Sequence, residues 1–312
     1  MSEEQDRTAS LMTPAKLARM KPKAAASPAA WLDQMAADAG HAHVDRLGEL
    51  AAQLQAQAGE RGDAPVAAAL QAVLDRLPQL DFALLQQNKG LFARFTGKGK
   101  SAGAEFNAQF DAILTAAEGV KAGTQALAKK HQAEAAATER TLVELEVEFR
   151  GIEKIIDGAS RWLKDMREQL KARQQQAAGD AAVLEAVRQD AARCEILVAR
   201  LKLLRAASNA AQQAHQLAQG TAQRRAALLQ LLQQAVATDF KAWQARMAPV
   251  AAAAGDAGSP ALGLDGPKEA QQILQTHLEQ ARADCGQLQH HERALAQGVS
   301  QMAQHVAAAR PA

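Results

Sequence analysis

The sequence predicts an all-α protein, an elongated antiparallel bundle of long, coiled-coil-like helices preceded by short N-terminal ones. Three observations carry that prediction. Ala, Gln, Leu, Glu, Lys and Arg dominate the 312 residues, the composition of long helices and coiled coils. Apolar residues recur at alternating steps of three and four over long stretches, whereas no alternating strand pattern of useful length occurs. Hydrophobic residues reach 48%, but much of this is alanine, and only 3% of residues are aromatic. Alanine buries little area, so such a chain brings helices close together rather than filling a thick core.

Taken in order, residues 1–28 read as a disordered basic tail, with Pro14, Pro22 and Pro28 among Lys16, Arg19, Lys21 and Lys23. Residues 29–103 read as short helices and a basic-aromatic connector. Trp31, Leu32 and Met35 open one helix, and Val44, Leu47, Leu50 and Leu54 continue it at helical spacing. Gly59, Gly62 and Pro65 break it; Val66 to Leu77 forms the next, stopped by Pro78. Residues 79–103 then carry Lys89, Arg94, Lys98 and Lys100, unopposed by any acid between 82 and 104, with Leu91, Phe92 and Phe95 interleaved. Gly97, Gly99 and Gly103 loosen this connector.

Residues 104–312 are expected to form the long-helix bundle. The first long helix spans about 104 to 177. Leu142, Leu145, Phe149, Ile152, Ile156, Ala159, Leu163, Met166 and Leu170 give it a heptad seam. A turn at Gly179 and Asp180 makes the next helix its antiparallel neighbour. That helix runs from about 181 to 254, roughly 100 Å if unbroken. Its seam passes through Cys194, Leu197, Leu201, Leu204, Ser208, Ala211, His215, Ala218, Ala222, Arg225, Leu229, Leu232, Val236, Phe240, Trp243, Met247 and Val250. The seam turns small and polar at Ser208, His215 and Arg225, where a partner or a bend is expected. Residues 255–267 read as a linker. A last helix follows with Leu274, Leu278, Ala281, Cys285, Leu288, Leu295, Val299, Met302 and Val306 on one face, interrupted by Glu292.

The net charge of +2 does not predict a dedicated nucleic-acid binder. Cys194 and Cys285 fall on apolar seams and read as small buried thiols in a reducing compartment. Neither a signal peptide nor a membrane span is expected, so the chain is expected in the cytoplasm.

Few motifs suggest chemistry. Gly97-Lys98-Gly99-Lys100-Ser101 imitates a phosphate-binding loop, but the motif needs a glycine where Arg94 stands, and no strand precedes it. The stretch around it could dock on the bundle, contact an anionic partner, or lie at a membrane surface through Lys89, Phe92, Arg94, Phe95, Lys98 and Lys100. The His41/His43 and His290/His291 pairs lack companion ligands at metal spacing and read as solvated side chains. Glu144, Glu146 and Glu148 read as a solvated face paired at i,i+4 with Arg150, Lys154 and Arg161. No catalytic residues, metal or cofactor are assigned.

Three passages resemble the toxic anion resistance family, the TelA-like proteins linked to tellurite resistance. One is the Gly-Leu-Phe-Ala-Arg-Phe-Thr-Gly-Lys-Gly-Lys-Ser run from Gly90 to Ser101, followed by Phe110-Asp111-Ala112-Ile113. Another is Leu142-Val143-Glu144-Leu145-Glu146 with its continuation to Leu170. The third is the Arg193 to Arg205 stretch, running on to Phe240-Lys241-Ala242-Trp243-Gln244-Ala245-Arg246-Met247. The likeness covers about half the chain, residues 90–250. It departs at Gln216 to Gln223, where the family tends to carry an Asn-rich patch, and in a shorter, Ala/Gln-rich last helix.

The resemblance implies a cytoplasmic bacterial helical protein tied to tellurite or envelope-stress tolerance, and it brings no enzymatic mechanism. The favoured expectation is therefore a non-enzymatic protein acting through protein partners, a second copy of itself included, with peripheral inner-membrane contact left open. The alternative is direct handling of tellurite through Cys194 and Cys285, which requires exposed thiols of lowered pKa.

Overall fold

Helices account for nearly all of the computed structural model, which describes residues 39–59, 64–86, 98–255 and 263–310, and no strand occurs among them. The all-α expectation holds. In chain order the elements are α1 (His41–Gly59), α2 (Ala64–Arg76), a 3-10 turn (Leu77–Gln79), α3 (Ala83–Gln86) and α4 (Lys98–Gln176). Then come α5 (Ala181–Gln234), a π-helical turn (Ala235–Asp239), α6 (Phe240–Gly255) and α7 (Asp265–Ala308).

α4 is 79 residues long and begins at Lys98, six residues before the expected start. Gly99 and Gly103 each weaken a helix by about 1 kcal/mol relative to Ala. Burial of Ala102 and of Phe106, fully covered, outweighs that cost. The turn falls where the sequence placed it. Ala178 (φ 46°) and Gly179 (φ 93°) both take left-handed conformations. Asp180 then caps α5, its Oδ1 accepting from the backbone N–H of Ala182 (2.9 Å) and Val183 (3.3 Å).

The helix α5 is continuous from Ser208 to Arg225, so no helix break falls there. The departure from α geometry comes later, at the π turn. Ala235 and Phe240 are both buried, five residues apart, while Val236, placed on the seam by a strict heptad, is only half-buried. The π turn's i→i+5 bonding absorbs that step. Pro249 lies inside α6 on its exposed face, where the carbonyl it leaves unbonded reaches water.

The chain divides into two compact units that do not follow chain order. Unit 1 holds α1, residues 137–176 of α4, 181–219 of α5 and the end of α7 from 293. Along α1 the partners in α4 descend. His43 meets Glu148 at 2.6 Å, Arg46 meets Glu144, and Gln53 meets Thr141 at 3.4 Å, so the pair is antiparallel. Between α4 and α5 the same holds: Arg173 with Asp190 (2.9 Å), Arg167 with Glu195 (2.7 Å), and the Phe149 carbonyl accepting from Ser208 Oγ (3.2 Å). Arg310 joins α7 to Asp45 of α1 at 3.3 Å. The result is an antiparallel four-helix bundle.

One core runs through it, from Val44, Leu47, Leu50 and Leu54 of α1 to Val299, Met302 and Val306 of α7. The expected α4 seam is buried from Leu145 to Leu170, while its first position, Leu142, is only half-buried. On α5 the buried stripe is broader than one heptad seam, adding Ala207, Ala210 and Ala214. A helix flanked on two sides buries more than its a and d positions.

Unit 2 holds α2, residues 98–136 of α4, 220–255 of α5 and α6, and α7 up to Glu292. Phe110 stacks obliquely on Trp243 at 5.3 Å between α4 and α6, and Gln271 Nε2 donates to the Leu77 carbonyl at 2.7 Å. Arg282 donates to Gln71 at 2.5 Å, which makes α7 antiparallel to α2. Here α2 approaches α4 at Gly119 and Gly123. A Cβ on Gly123 would stand 2.5 Å from Val66 Cγ2, so only glycine admits this contact.

The turn is a direct test of backbone strain. Ala178→Gly should raise stability by up to about 1 kcal/mol and Gly179→Ala should lower it by about the same amount, read from urea unfolding followed by circular dichroism. Equal midpoints for both variants and the parent would contradict the assigned turn geometry.

Candidate interaction groove

Of the residues singled out in the sequence, Lys89, Phe92, Arg94 and Phe95 lie outside the described residues. Lys98 and Lys100 lie in the first turn of α4, with undescribed side chains. The phosphate-loop look-alike is therefore helical from Lys98 onward, unlike a loop that cradles phosphate with backbone N–H groups.

The polar seam splits between the units. In unit 1, Ser208 is buried at 1% exposure and its hydroxyl is spent on the Phe149 carbonyl. One helical face further along α5, the half-buried His215 ring meets Phe149 edge-on at 5.8 Å. In unit 2, Arg225 Nη2 donates to Glu292 Oε1 at 2.6 Å and Nη1 lies 3.9 Å from Glu134. Glu292 is 4% exposed, and its Oε2 has no hydrogen-bond partner. The acid that interrupts the α7 face thus neutralises the cation that interrupts the α5 seam.

Two readings of surface charge are corrected. His43 is not solvated, since it holds Glu148 at 2.6 Å with 24% of its side chain exposed. Of the three clustered carboxylates only Glu146 makes the i,i+4 pair, with Arg150, while Glu144 and Glu148 tie α4 to α1. Sequence spacing cannot show this, because a helix face next to a second helix carries the same polar residues as a wet one. His41 is exposed beside Asp45, as expected. His290 is exposed and its ring lies 6.1 Å from that of half-buried His291. No group of three or more His, Cys, Asp or Glu capable of holding a metal occurs among the described residues.

Cys194 and Cys285 are both buried at 1% exposure. Desolvation raises the Cys194 thiol above its ordinary pKa, and Asp190 and Glu195 push the same way against Arg167. Burial therefore disfavours the thiolate form that nucleophilic or metal-binding sulfur needs.

A surface groove follows from the α4–α5 packing in unit 1. On either side of an antiparallel seam the flanking positions form ridges, and the channel between the ridges is a groove. Here it opens into two consecutive recesses. One, of about 520 Å³, is floored by Leu163, Val198 and Leu201 and flanked by Lys164, Arg167, Lys171, Lys202 and Arg205. The other, of about 580 Å³, carries Phe149 and His215 with Glu146, Glu153 and Asp157, the cations Arg150 and Lys154, and Gln212, Gln216 and Gln219. Both lie on the same stripes, 146-150-153-157-160-164-167-171 on α4 and 198-202-205-212-216-219 on α5. The groove is thus charge-polarised, predominantly basic in one half and of mixed charge in the other.

The sequence carried a signal for this site. Lys164, Arg167 and Lys171 sit one residue after the seam positions Leu163, Met166 and Leu170, and Lys202 and Arg205 follow Leu201 and Leu204 in the same way. Combining the two sets required the antiparallel register.

The Arg225–Glu292 pair yields a stability prediction. Arg225→Met should destabilise the protein by about 3 kcal/mol, since it strands a buried carboxylate, and Arg225→Met with Glu292→Leu should recover most of the loss in urea unfolding. A silent single substitution would show that Glu292 finds solvent. In comparisons with known proteins, no family model, no curated protein and no solved structure matches this chain.

Proposed function

We propose that this protein is a non-enzymatic, cytoplasmic interaction protein of the toxic anion resistance type, which supports tellurite or envelope-stress tolerance by binding protein partners. The observation that carries the reading is the α4–α5 groove, whose basic half has an aliphatic floor and flanking cations and whose other half is of mixed charge. Stretches of two passages that resemble the family, 142–170 and 193–205, supply both walls of its basic half. Thiol-based handling of tellurite is disfavoured by the burial of both cysteines and by the raised pKa of Cys194. No described helix is long and apolar enough to cross a membrane, which agrees with action away from the bilayer core.

Deleting the gene should lower the tellurite concentration that arrests growth several-fold, and a copy carrying Cys194→Ser and Cys285→Ser should restore it fully. Growth of the deletion strain equal to its parent under tellurite and envelope-stress agents would sink the resistance reading. Failure of the double-serine copy, with normal folding by circular dichroism, would return thiol chemistry to first place.

A further inference from the structure

We infer that the basic half of the α4–α5 groove is the docking surface for an acidic amphipathic helix of a protein partner, an inference that rests on the interaction reading above. The floor is aliphatic: Leu163 and Leu201 are 5% and 6% exposed, and Val198 is half-buried. The walls are cationic. Arg167 is engaged by Glu195, but Lys164, Lys171, Lys202 and Arg205 have no acidic partner among the described residues. Glu168 is the one acid lining this recess.

The geometry selects the occupant. From Ser160 to Lys171 the recess spans about three helical turns, or about 17 Å. Cations recur along both walls at helical spacing, separated across the groove by an apolar strip. A third helix laid in the channel between two packed helices meets that pattern with aliphatic side chains at i, i+3, i+4 and i+7 and carboxylates on both flanks. A phosphate cluster would leave the strip unpaired. A long polyanion or a flat anionic membrane would find no continuous run of cations further along, where Glu146, Glu153 and Asp157 alternate with Arg150 and Lys154 in the same groove. The partner helix should therefore be acidic over residues 160–171 and lose that charge over residues 146–157.

The test is fluorescence anisotropy on the full-length protein with a fluorescein-labelled 21-residue peptide, leucine at its a and d positions and glutamate on both flanks. It should bind saturably, more weakly as salt rises. Lys164→Gln, Lys171→Gln, Lys202→Gln and Arg205→Gln together should weaken binding about tenfold or more, because each lost charge pair contributes a fraction of a kcal/mol. Val198→Glu alone should weaken it comparably, with circular dichroism confirming that both variants fold. A lysine-flanked peptide should not bind.

Absence of binding, or equal affinity for the parent and the fourfold variant, overturns the proposal. So does displacement of the peptide by inorganic polyphosphate or phosphatidylglycerol vesicles at matched charge, which would mark a site for anions in general. The two readings fail separately. A deletion strain without a stress phenotype removes the resistance reading while groove-dependent peptide binding stands. A tagged protein that recovers the same partners with and without the four cations keeps the interaction reading and removes the docking surface.

Discussion

The antiparallel packing of α4 on α5 is the constraint on which unit 1 depends. Leu145, Phe149, Ile152, Ile156, Leu163, Met166 and Leu170 on one helix close against Val187, Cys194, Leu197, Leu201 and Leu204 on the other. Each such large side chain contributes about 1.5–3 kcal/mol by leaving water, which outweighs any surface ion pair along the same seam. The turn at 177–180 fixes the register, because Asp180 both accepts the first intrahelical bond of α5 from Leu184 and caps it with its side chain. Once the register is set, the ion pairs Arg173–Asp190 and Arg167–Glu195 and the lysines of the groove follow without further choice.

Each unit draws on α4, α5 and α7, unit 2 adding α6, and each is completed by a different short helix. The two short helices are held by different physics. α2 is seated by a steric fit, with Val66 and Ala69 against Gly123 and Gly119. α1 adds polar bonds to its apolar stripe, through His43, Arg46 and the buried Arg200 of α5. Arg200 is 6% exposed and donates to the carbonyls of Ala309 and Ala39, the latter at 3.1 Å. Burial lowers its pKa, and no carboxylate pairs with it among the described residues. The carbonyl at the end of α7 belongs to the negative pole of a helix, which offsets part of the cost of burying the cation. One side chain thereby ties the start of α1 and the end of α7 to α5.

The same packing explains why chemistry is hard to place on this chain. Seam positions take up the two thiols and the Ser208 hydroxyl, and a cross-helix carboxylate takes up His43. Among the described surface residues, the groove between the α4 and α5 ridges combines an apolar floor with flanking cations.

By itself the sequence determined the all-α class, the turn at Gly179, the buried faces of α1, α4 and α7, and the burial of both cysteines. These are local matters of helix propensity and of apolar spacing along one helix. Tertiary structure decided the rest. It started α4 at Lys98 because burial of Ala102 and Phe106 outweighs glycine's flexibility. It placed a π turn at 235–239 because Ala235 and Phe240 both had to reach the core. It turned Glu144 and Glu148 from a wet face into the seat of α1, and set Glu292 against Arg225. Helical periodicity says which residues share a face; only the packing of a second helix says whether that face meets water, a counter-charge or a groove.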